Sequence, residues 1–159
     1  KGDDSVETKI ITFPEKRVVG IKNTGDYWSL PKAWEKLHGI LQADGLYASG
    51  KEFMSVFPDN DDKIPMSEKR SFAAMAVTPG FENTAGLDEL VIPEGLYAVT
   101  VHFGSSEEIG PTWERWQKQW LPDSGWQIDW TRPMYEGDQN DSTKPELQLT
   151  FLVTPVKKH

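Results

Sequence analysis

The chain has 159 residues, no cysteine and a formal net charge of −8 at pH 7. Its length fits one domain with its own core, and the lack of cysteine excludes a disulfide framework, a thiolate metal site and a cysteine nucleophile. The acidic charge disfavours direct nucleic-acid binding, which depends on Lys and Arg at phosphates. No apolar run reaches the roughly 20 residues of a membrane span and no signal peptide is recognisable, so we expect a cytoplasmic protein without membrane contact.

The first half of the chain predicts two strands, a helix and two further strands. The predicted strands are 7–13, 16–22, 52–57 and 72–77, which contain β-branched or aromatic residues. Before the third strand, apolar residues at positions 30, 34, 37 and 41 form one stripe of an amphipathic helix. Pro31 stands near the start of this helix, where a missing N–H costs little.

The second half repeats this order after a predicted linker at 79–93, which is rich in glycine and proline. The predicted strands are 96–103, 132–138 and 146–153. The helix between the first two carries its apolar stripe at positions 109, 113, 116 and 120, again with a proline near its start. Five of the seven tryptophans lie between Trp113 and Trp130, and such a cluster favours a packing or ligand-binding role.

A shift of 79 positions aligns the two halves, placing Gly25 on Gly104 and Trp34 on Trp113. The helical stripes and the acidic stretches 59–62 and 138–141 align at the same shift. Near the ends, the Val-Thr-Pro tripeptides at 77–79 and 153–155 match at a shift of 76, which predicts a second half shorter by three residues.

We therefore predict an α+β fold built from tandem duplicated strand–helix–strand–strand modules with pseudo-twofold symmetry. The sheets are expected to be antiparallel, because a short acidic turn joins the last two strands of each half. Residues 1–159 form a single domain in this interpretation, with the internal repeat at 14–79 and 94–156. A ligand groove is expected where the halves meet, since pockets favour such junctions.

Differences between the halves indicate where function lies. Leu37 and Leu41 of the first helix become Trp116 and Trp120 in the second, and Phe57 of the middle strand becomes Glu136 at the shift of 79. A carboxylate at a strand position is costly if it is buried and unpaired. Glu136 is therefore either a ligand-binding group or an exposed residue beside a turn.

Five stretches of the chain form an ordered set of motifs. They are Gly25-Asp26-Tyr27-Trp28, Ala33-Trp34-Glu35-Lys36-Leu37, Trp120-Leu121-Pro122-Asp123-Ser124-Gly125-Trp126, Arg132-Pro133-Met134-Tyr135-Glu136 and Asn140-Asp141. The segment from Trp120 to Trp126 is the most specific of them. In these stretches the sequence resembles the gyrase-inhibitor-like, or AraC-type effector-binding, domain superfamily of multidrug-binding bacterial regulators. The resemblance covers roughly residues 6–156.

The resemblance implies a ligand groove between two modules in which the family glutamate, here Glu136, meets cationic aromatic drugs. The supporting aromatic positions fall on Trp116, Trp120, Phe57, and Tyr27 or Trp28. The sequence departs from the family two residues after the glutamate, where tyrosine is usual and Asp138 stands instead.

Three functions follow from these residues and this resemblance. The first is binding of a small cationic or aromatic molecule by a sensor or sequestering domain, with a DNA-binding segment or protein as partner in transcription regulation. The second is a hydrolase of strained electrophilic molecules with Glu136 as general base, and the third is modulation of gyrase. We expect binding rather than catalysis, no catalytic residue unless Glu136 acts as one, and no cofactor. No metal is expected either, because His38, His102 and His159 are scattered.

Overall fold

The computed structural model describes residues 7–50, 52–59, 63–138 and 149–159. Residues 60–62 and 139–148, which hold most of the two predicted acidic turns, lie outside the described residues, as does Asn140-Asp141. The helices are α1 (Leu30–Asp44) and α2 (Ile109–Arg115). The strands are β1 (Thr8–Phe13), β2 (Lys16–Thr24), β3 (Glu52–Phe57), β4 (Arg70–Val77), β5 (Asp88–Ile92), β6 (Gly95–Phe103), β7 (Trp126–Ile128), β8 (Met134–Asp138) and β9 (Leu149–Lys158).

The described strands form one antiparallel sheet in the order β1-β6-β9-β8-β3-β4-β2-β5, with β7 paired to β9. The predicted α+β class and antiparallel pairing are confirmed. The prediction of 79–93 as a plain linker is wrong, because β5 lies within it and pairs with β2. In β5, Leu90 and Ile92 alternate with charged or exposed residues. Because side chains alternate along a strand, these two apolar residues form its buried face.

Both helices cover the same face of the sheet. The buried side of α1, including Leu37 and Leu41, packs with Phe57, while Trp116 beyond α2 packs with Met134. Phe57 and Met134 lie directly opposite each other in the β3–β8 pair, so their side chains share a face. The other face has a separate core of strand residues, among them Val18, Met54, Tyr97, Tyr135 and Val153.

The end of the second helix differs from a regular helix. α2 gives way after Arg115 to one π-helical turn, Trp116–Trp120, and then to a 3-10 turn. The rings of Trp116 and Trp120 stack, with centroids 5.4 Å apart and an interplanar angle of 17°. The wider turn therefore accommodates two large stacked indoles where α1 carries two leucines.

The shift of 79 residues holds where strands meet helices. β2 and β6 are each followed by a glycine of positive φ, Gly25 at 99° and Gly104 at 116°. Glycine is favoured there because a residue with a Cβ would be strained. α1 and α2 begin at the same spacing, at Leu30 and Ile109.

The shift of 76 residues expected for the last strand is wrong. Val18 of β2 pairs with Ala76, and Tyr97, at the shift of 79, pairs with Pro155. Ala76 therefore corresponds to Pro155, so the two Val-Thr-Pro tripeptides are out of register. An identical tripeptide does not determine the pairing register of a strand, whereas the face that the strand buries does.

The register of the central strands corrects a second expectation. Ser55 of β3 lies opposite Glu136 of β8, and Phe57 lies opposite Met134. The expected placement of Phe57 opposite Glu136 is therefore wrong by two residues. Because side chains alternate along a strand, a slip of two leaves Phe57 on the same face as Glu136, in a diagonal position.

Lys16, Glu52 and Tyr135 tie β2, β3 and β8 together on the face away from the helices. Lys16 Nζ donates to Glu52 Oε1 at 2.7 Å and to the Tyr135 hydroxyl at 2.9 Å. Burial lowers the pKa of Lys16, but the two hydrogen bonds together with the charges of Tyr135 and Glu52 outweigh it and place the pKa above its ordinary value. Burial also raises the pKa of the Tyr135 hydroxyl, and the bond from Lys16 only partly offsets this.

We predict that the protein loses stability at alkaline pH. The pKa values of Lys16 and Tyr135 are higher in the folded than in the unfolded chain, so their contribution is complete below about pH 10 and falls as pH rises further. Urea unfolding between about pH 8 and 11.5 measures this slope. Tyr135→Phe removes one of the two groups and should flatten it, whereas a stability that is constant across this range would contradict the assignment.

We also predict opposite effects of alanine at two glycines. A Cβ on Gly20, in the middle of β2, would overlap the Ala73 carbonyl oxygen, so Gly20→Ala should destabilise the protein by about 2 kcal/mol or more. Gly39, in α1, has no atom within 4 Å of such a Cβ, so Gly39→Ala should stabilise it by about 0.5–1 kcal/mol. Urea unfolding provides both values, and equal effects would contradict the close packing of β2 on β4.

Candidate functional site

The candidate site lies on the helix-covered face at the central strands β3 and β8. The Trp113 indole Nε1 of α2 donates to Glu136 Oε2 at 2.7 Å. The Trp34 indole Nε1 of α1 donates to Ser55 Oγ at 3.0 Å. Since Ser55 and Glu136 lie opposite each other, each helix sends one indole N–H to one member of the same pair.

Glu136 makes the two sides of this pair electrically different. The Glu136 side chain is partly buried, so solvent screens its charge less than that of a surface carboxylate. The hydrogen bond from Trp113 is charge-assisted and stabilises the ionised carboxylate. The corresponding bond from Trp34 ends on a neutral hydroxyl. The arrangement therefore places a carboxylate on the β8 side of the pair and a hydroxyl on the β3 side.

Two aromatic residues predicted for the site come together at one end of the central strands. Tyr27 and Phe57 make an edge contact, with centroids 5.1 Å apart and an interplanar angle of 64°. The Tyr27 hydroxyl is buried without a hydrogen-bond partner in the described part of the chain. Burial, with a smaller effect of the Asp59 charge, raises the pKa of Tyr27. Trp28, in contrast, is 88% exposed and is not brought into this group.

Trp116 and Trp120 occupy a different position. Trp116 is 1% exposed and lies in the core with Ala98, Met134 and Val156, while Trp120 is partly buried and stacks on it. Trp113 meets Trp116 edge to face, with centroids 6.1 Å apart. Trp116 therefore packs against Trp113 from within the core, and its own ring is not at the surface.

Sequence reasoning missed an aromatic stack on the α1 side. His38 lies between the rings of Trp34 and Tyr47, with centroid distances of 5.6 and 5.8 Å, and its Nδ1 hydrogen-bonds the Tyr47 hydroxyl at 2.8 Å. Phe53 of β3 contacts the rings of His38 and Tyr47. The spacing of Trp34 and His38, four residues apart on a helix, was the available signal for their contact.

Among the described residues, no group of three or more His, Asp or Glu side chains is arranged to hold a metal ion. The ring nitrogens of His102 hydrogen-bond to Thr112 and Ser105, which lie outside the central strands β3 and β8. Within the same residues, no helix is both long and apolar enough to cross a membrane.

The family model of the GyrI-like small molecule binding domain matches residues 7–156. The chain belongs to this family. A DNA gyrase inhibitor of Yersinia enterocolitica is 28% identical over 123 residues, which cover 74% of this chain and 77% of that protein. The resemblance to gyrase-inhibitor-like domains is thereby confirmed.

Solved structures share the fold of this GyrI-like domain at low identity. The EcmrR C-terminal domain matches with a TM-score of 0.71 at 14% identity, covering 97% of this chain and 99% of that one. SAV2435 bound to tetraphenylphosphonium matches with a TM-score of 0.72 at 16% identity, covering 95% and 94%. A hydrolase from Listeria innocua matches with a TM-score of 0.62 at 17% identity, covering 96% and 93%.

We predict unequal coupling in the two indole hydrogen bonds of the GyrI-like domain. A double-mutant cycle of Trp113→Phe with Glu136→Ala should give about 1.5 kcal/mol or more, because the acceptor is charged. The matched cycle of Trp34→Phe with Ser55→Ala should give about 1 kcal/mol or less, because both partners are neutral. Urea unfolding measures both, and a larger coupling on the Trp34 side would contradict the assignment of the charge.

Proposed function

We propose that this GyrI-like domain binds small lipophilic aromatic cations in a groove between α1 and α2, above β3 and β8. The observation that carries the proposal is the Glu136 carboxylate, partly buried at the central strands and held by the Trp113 indole at 2.7 Å. A partly buried anion attracts a cation whose own hydration is weak. Aromatic rings beside it add roughly 0.5–2 kcal/mol for each cation–π contact.

The other predicted site residues have distinct roles in this proposal. Tyr27 and Phe57, which make an edge contact and are both partly exposed, form the aromatic wall at one end of the groove. Trp120 contributes ring area on the α2 side, and Trp116 supports it. Trp28, which is 88% exposed, is assigned in this proposal to the first contact with an arriving ligand.

The internal duplication of the domain is part of the same proposal. Residues 1–159 act as one domain in which two modules, 14–79 and 94–156, arose by duplication and enclose the groove. Support comes from the strand order, in which β5-β2-β4-β3 and β1-β6-β9-β8 meet at the β3–β8 pair. Trp34 and Trp113, the donors of the two indole bonds, also correspond at the shift of 79, although their acceptors Ser55 and Glu136 do not.

SAV2435 bound to tetraphenylphosphonium supports the chemical class of the ligand, and the shared fold with the EcmrR C-terminal domain fits a sensor role. A sensor of this kind acts through a DNA-binding segment or protein, and the acidic domain itself does not contact nucleic acid.

Glu136→Gln should separate charge pairing from simple packing. It should weaken tetraphenylphosphonium binding by roughly 1–3 kcal/mol, or about 5- to 150-fold, because it removes the charge but keeps the shape. Quenching of tryptophan fluorescence measures the affinity. Triphenylphosphine oxide, which is neutral, should bind wild type and variant equally.

Glu114→Gln is the matched control, since it removes the same charge from an exposed position on α2. It should leave tetraphenylphosphonium binding within about twofold of wild type. Equal losses for the cation and the neutral oxide in Glu136→Gln would contradict charge pairing, as would the absence of any quenching in wild type.

A hydrolase is the second candidate, favoured by the Listeria innocua neighbour. If Glu136 is a general base, wild type should open an activated cyclopropane substrate, and Glu136→Gln should abolish turnover while binding persists. Mass spectrometry of the products decides this.

The name of the Yersinia relative favours a third candidate, inhibition of gyrase, which a DNA supercoiling assay with purified gyrase tests directly.

A further inference from the structure

The two helices are held on the sheet by different means. α1 packs through four buried apolar residues, Leu30, Ala33, Leu37 and Leu41. α2 has seven residues, all of which the structure describes, and Thr112 alone among them is buried. A helix this short is not stable by itself, so its position depends on the contacts that it makes with the rest of the protein.

The buried threonine of α2 binds a buried histidine of β6. The Nε2 atom of His102 lies 2.8 Å from the Ser105 carbonyl oxygen. A carbonyl oxygen can only accept, so Nε2 carries a hydrogen. In the neutral ring, Nδ1 is then an acceptor, and the Thr112 hydroxyl donates to it at 2.7 Å. Because both ring nitrogens have partners, the ring holds Thr112 in one orientation.

Arg115 adds a third member to this chain of hydrogen bonds. The Thr112 hydroxyl uses its hydrogen on His102, so its lone pairs remain free to accept. Arg115 Nη2 donates to Thr112 Oγ1 at 3.2 Å from the next turn of the same helix. Thr112 is therefore bonded both to the strand and to its own helix.

The first half of the chain has the bond that closes the turn but not the bond to the helix. At the shift of 79, His102 corresponds to Asn23 and Thr112 to Ala33. Asn23 Nδ2 donates at 3.3 Å to the backbone carbonyl oxygen three residues on, as His102 does. Ala33 has no polar side-chain atom and lies in an apolar cluster. The side-chain bond from strand to helix at this position is therefore specific to the second half.

Thr112 stands next to the residue that contacts the candidate site. Thr112 and Trp113 are consecutive, so their side chains leave the helix about 100° apart. Thr112 binds β6 and Trp113 binds Glu136 of β8, while β9 lies between those strands. Because β6 and β8 are about 10 Å apart, α2 is held at two separate places across the sheet. A rotation of α2 that broke the His102 bond would also carry the Trp113 indole away from Glu136.

We infer that His102 and Thr112 are positioning residues for the cation site. They hold α2 at the rotation that places the Trp113 N–H on the Glu136 carboxylate, and they act through Trp113 without touching the ligand. The bond from Trp113 orients the carboxylate, so loosening it lowers the affinity for a cation. The effect on ligand binding rests on the proposed function, whereas the effect on the bond between Trp113 and Glu136 does not.

Two substitutions of Thr112 that differ in the hydroxyl test the inference. Thr112→Val should weaken tetraphenylphosphonium binding roughly 3- to 10-fold, as expected for the loss of one hydrogen bond. Thr112→Ser keeps the hydroxyl and should bind within about twofold of wild type. In NMR spectra of the indole N–H groups, the Trp113 signal should move in Thr112→Val toward its position in Glu136→Ala, and Thr112→Ser should restore it. Trp113→Phe identifies the signal by its loss.

A second substitution breaks the same bond from the strand side. Glutamine places its amide near the Nε2 position, so His102→Gln keeps a donor for Ser105 but has no acceptor at the Nδ1 position. It should weaken tetraphenylphosphonium binding as Thr112→Val does. The double variant should bind no more weakly than either single variant, because both changes remove one shared bond.

Ile92→Val is the control for a general loss of stability. Ile92 is buried in the core on the face away from the helices, and its truncation should destabilise the protein by about 0.5–1.5 kcal/mol. It should leave both the Trp113 signal and the affinity unchanged.

Several results would overturn the inference. They are an unchanged Trp113 signal in Thr112→Val, equal changes in Thr112→Val and Thr112→Ser, an equal shift of the signal in Ile92→Val, and additive losses in the double variant. If wild type binds no tetraphenylphosphonium, the proposed function fails, and the Trp113 signal alone then decides on the positioning role.

Discussion

The pairing of β3 with β8 is the constraint on which the rest of the molecule depends. It joins the two halves of the strand order into one sheet, and its register places Ser55 opposite Glu136. A slip of one residue would turn these side chains to the opposite face. Trp34 and Trp113, on separate helices, reach this pair from above, so the register also fixes where the two indole N–H groups end.

The Glu136 carboxylate, partly buried among aromatic side chains, has a clear physical consequence. Aromatic side chains surround the region, and the core beneath α2 is built from stacked indoles. The Glu136 carboxylate accepts a hydrogen bond there from the Trp113 indole. Such a setting favours ligands that combine a delocalised positive charge with flat apolar surface, because both parts lose little hydration on binding.

The sequence allowed a correct prediction of the α+β class and the two helices, because their periodicity and glycine positions are local signals. It also singled out Glu136, as a carboxylate on an apolar strand. The partner of Glu136 was predicted incorrectly, since Phe57 shares its face and only the hydrogen-bond register distinguishes the two positions. The strand β5 was missed because its five residues lie among turn-forming ones, and His38 because its stacking partners come from three separate elements.

A crystal structure of the protein with tetraphenylphosphonium would test this account most directly. The account predicts that the ligand lies between α1 and α2, that Glu136 is the carboxylate nearest to the phosphorus, and that phenyl rings of the ligand contact Phe57 and Tyr27. A ligand bound elsewhere, with Glu136 and Trp113 untouched and another acidic residue nearest to the phosphorus, would contradict it.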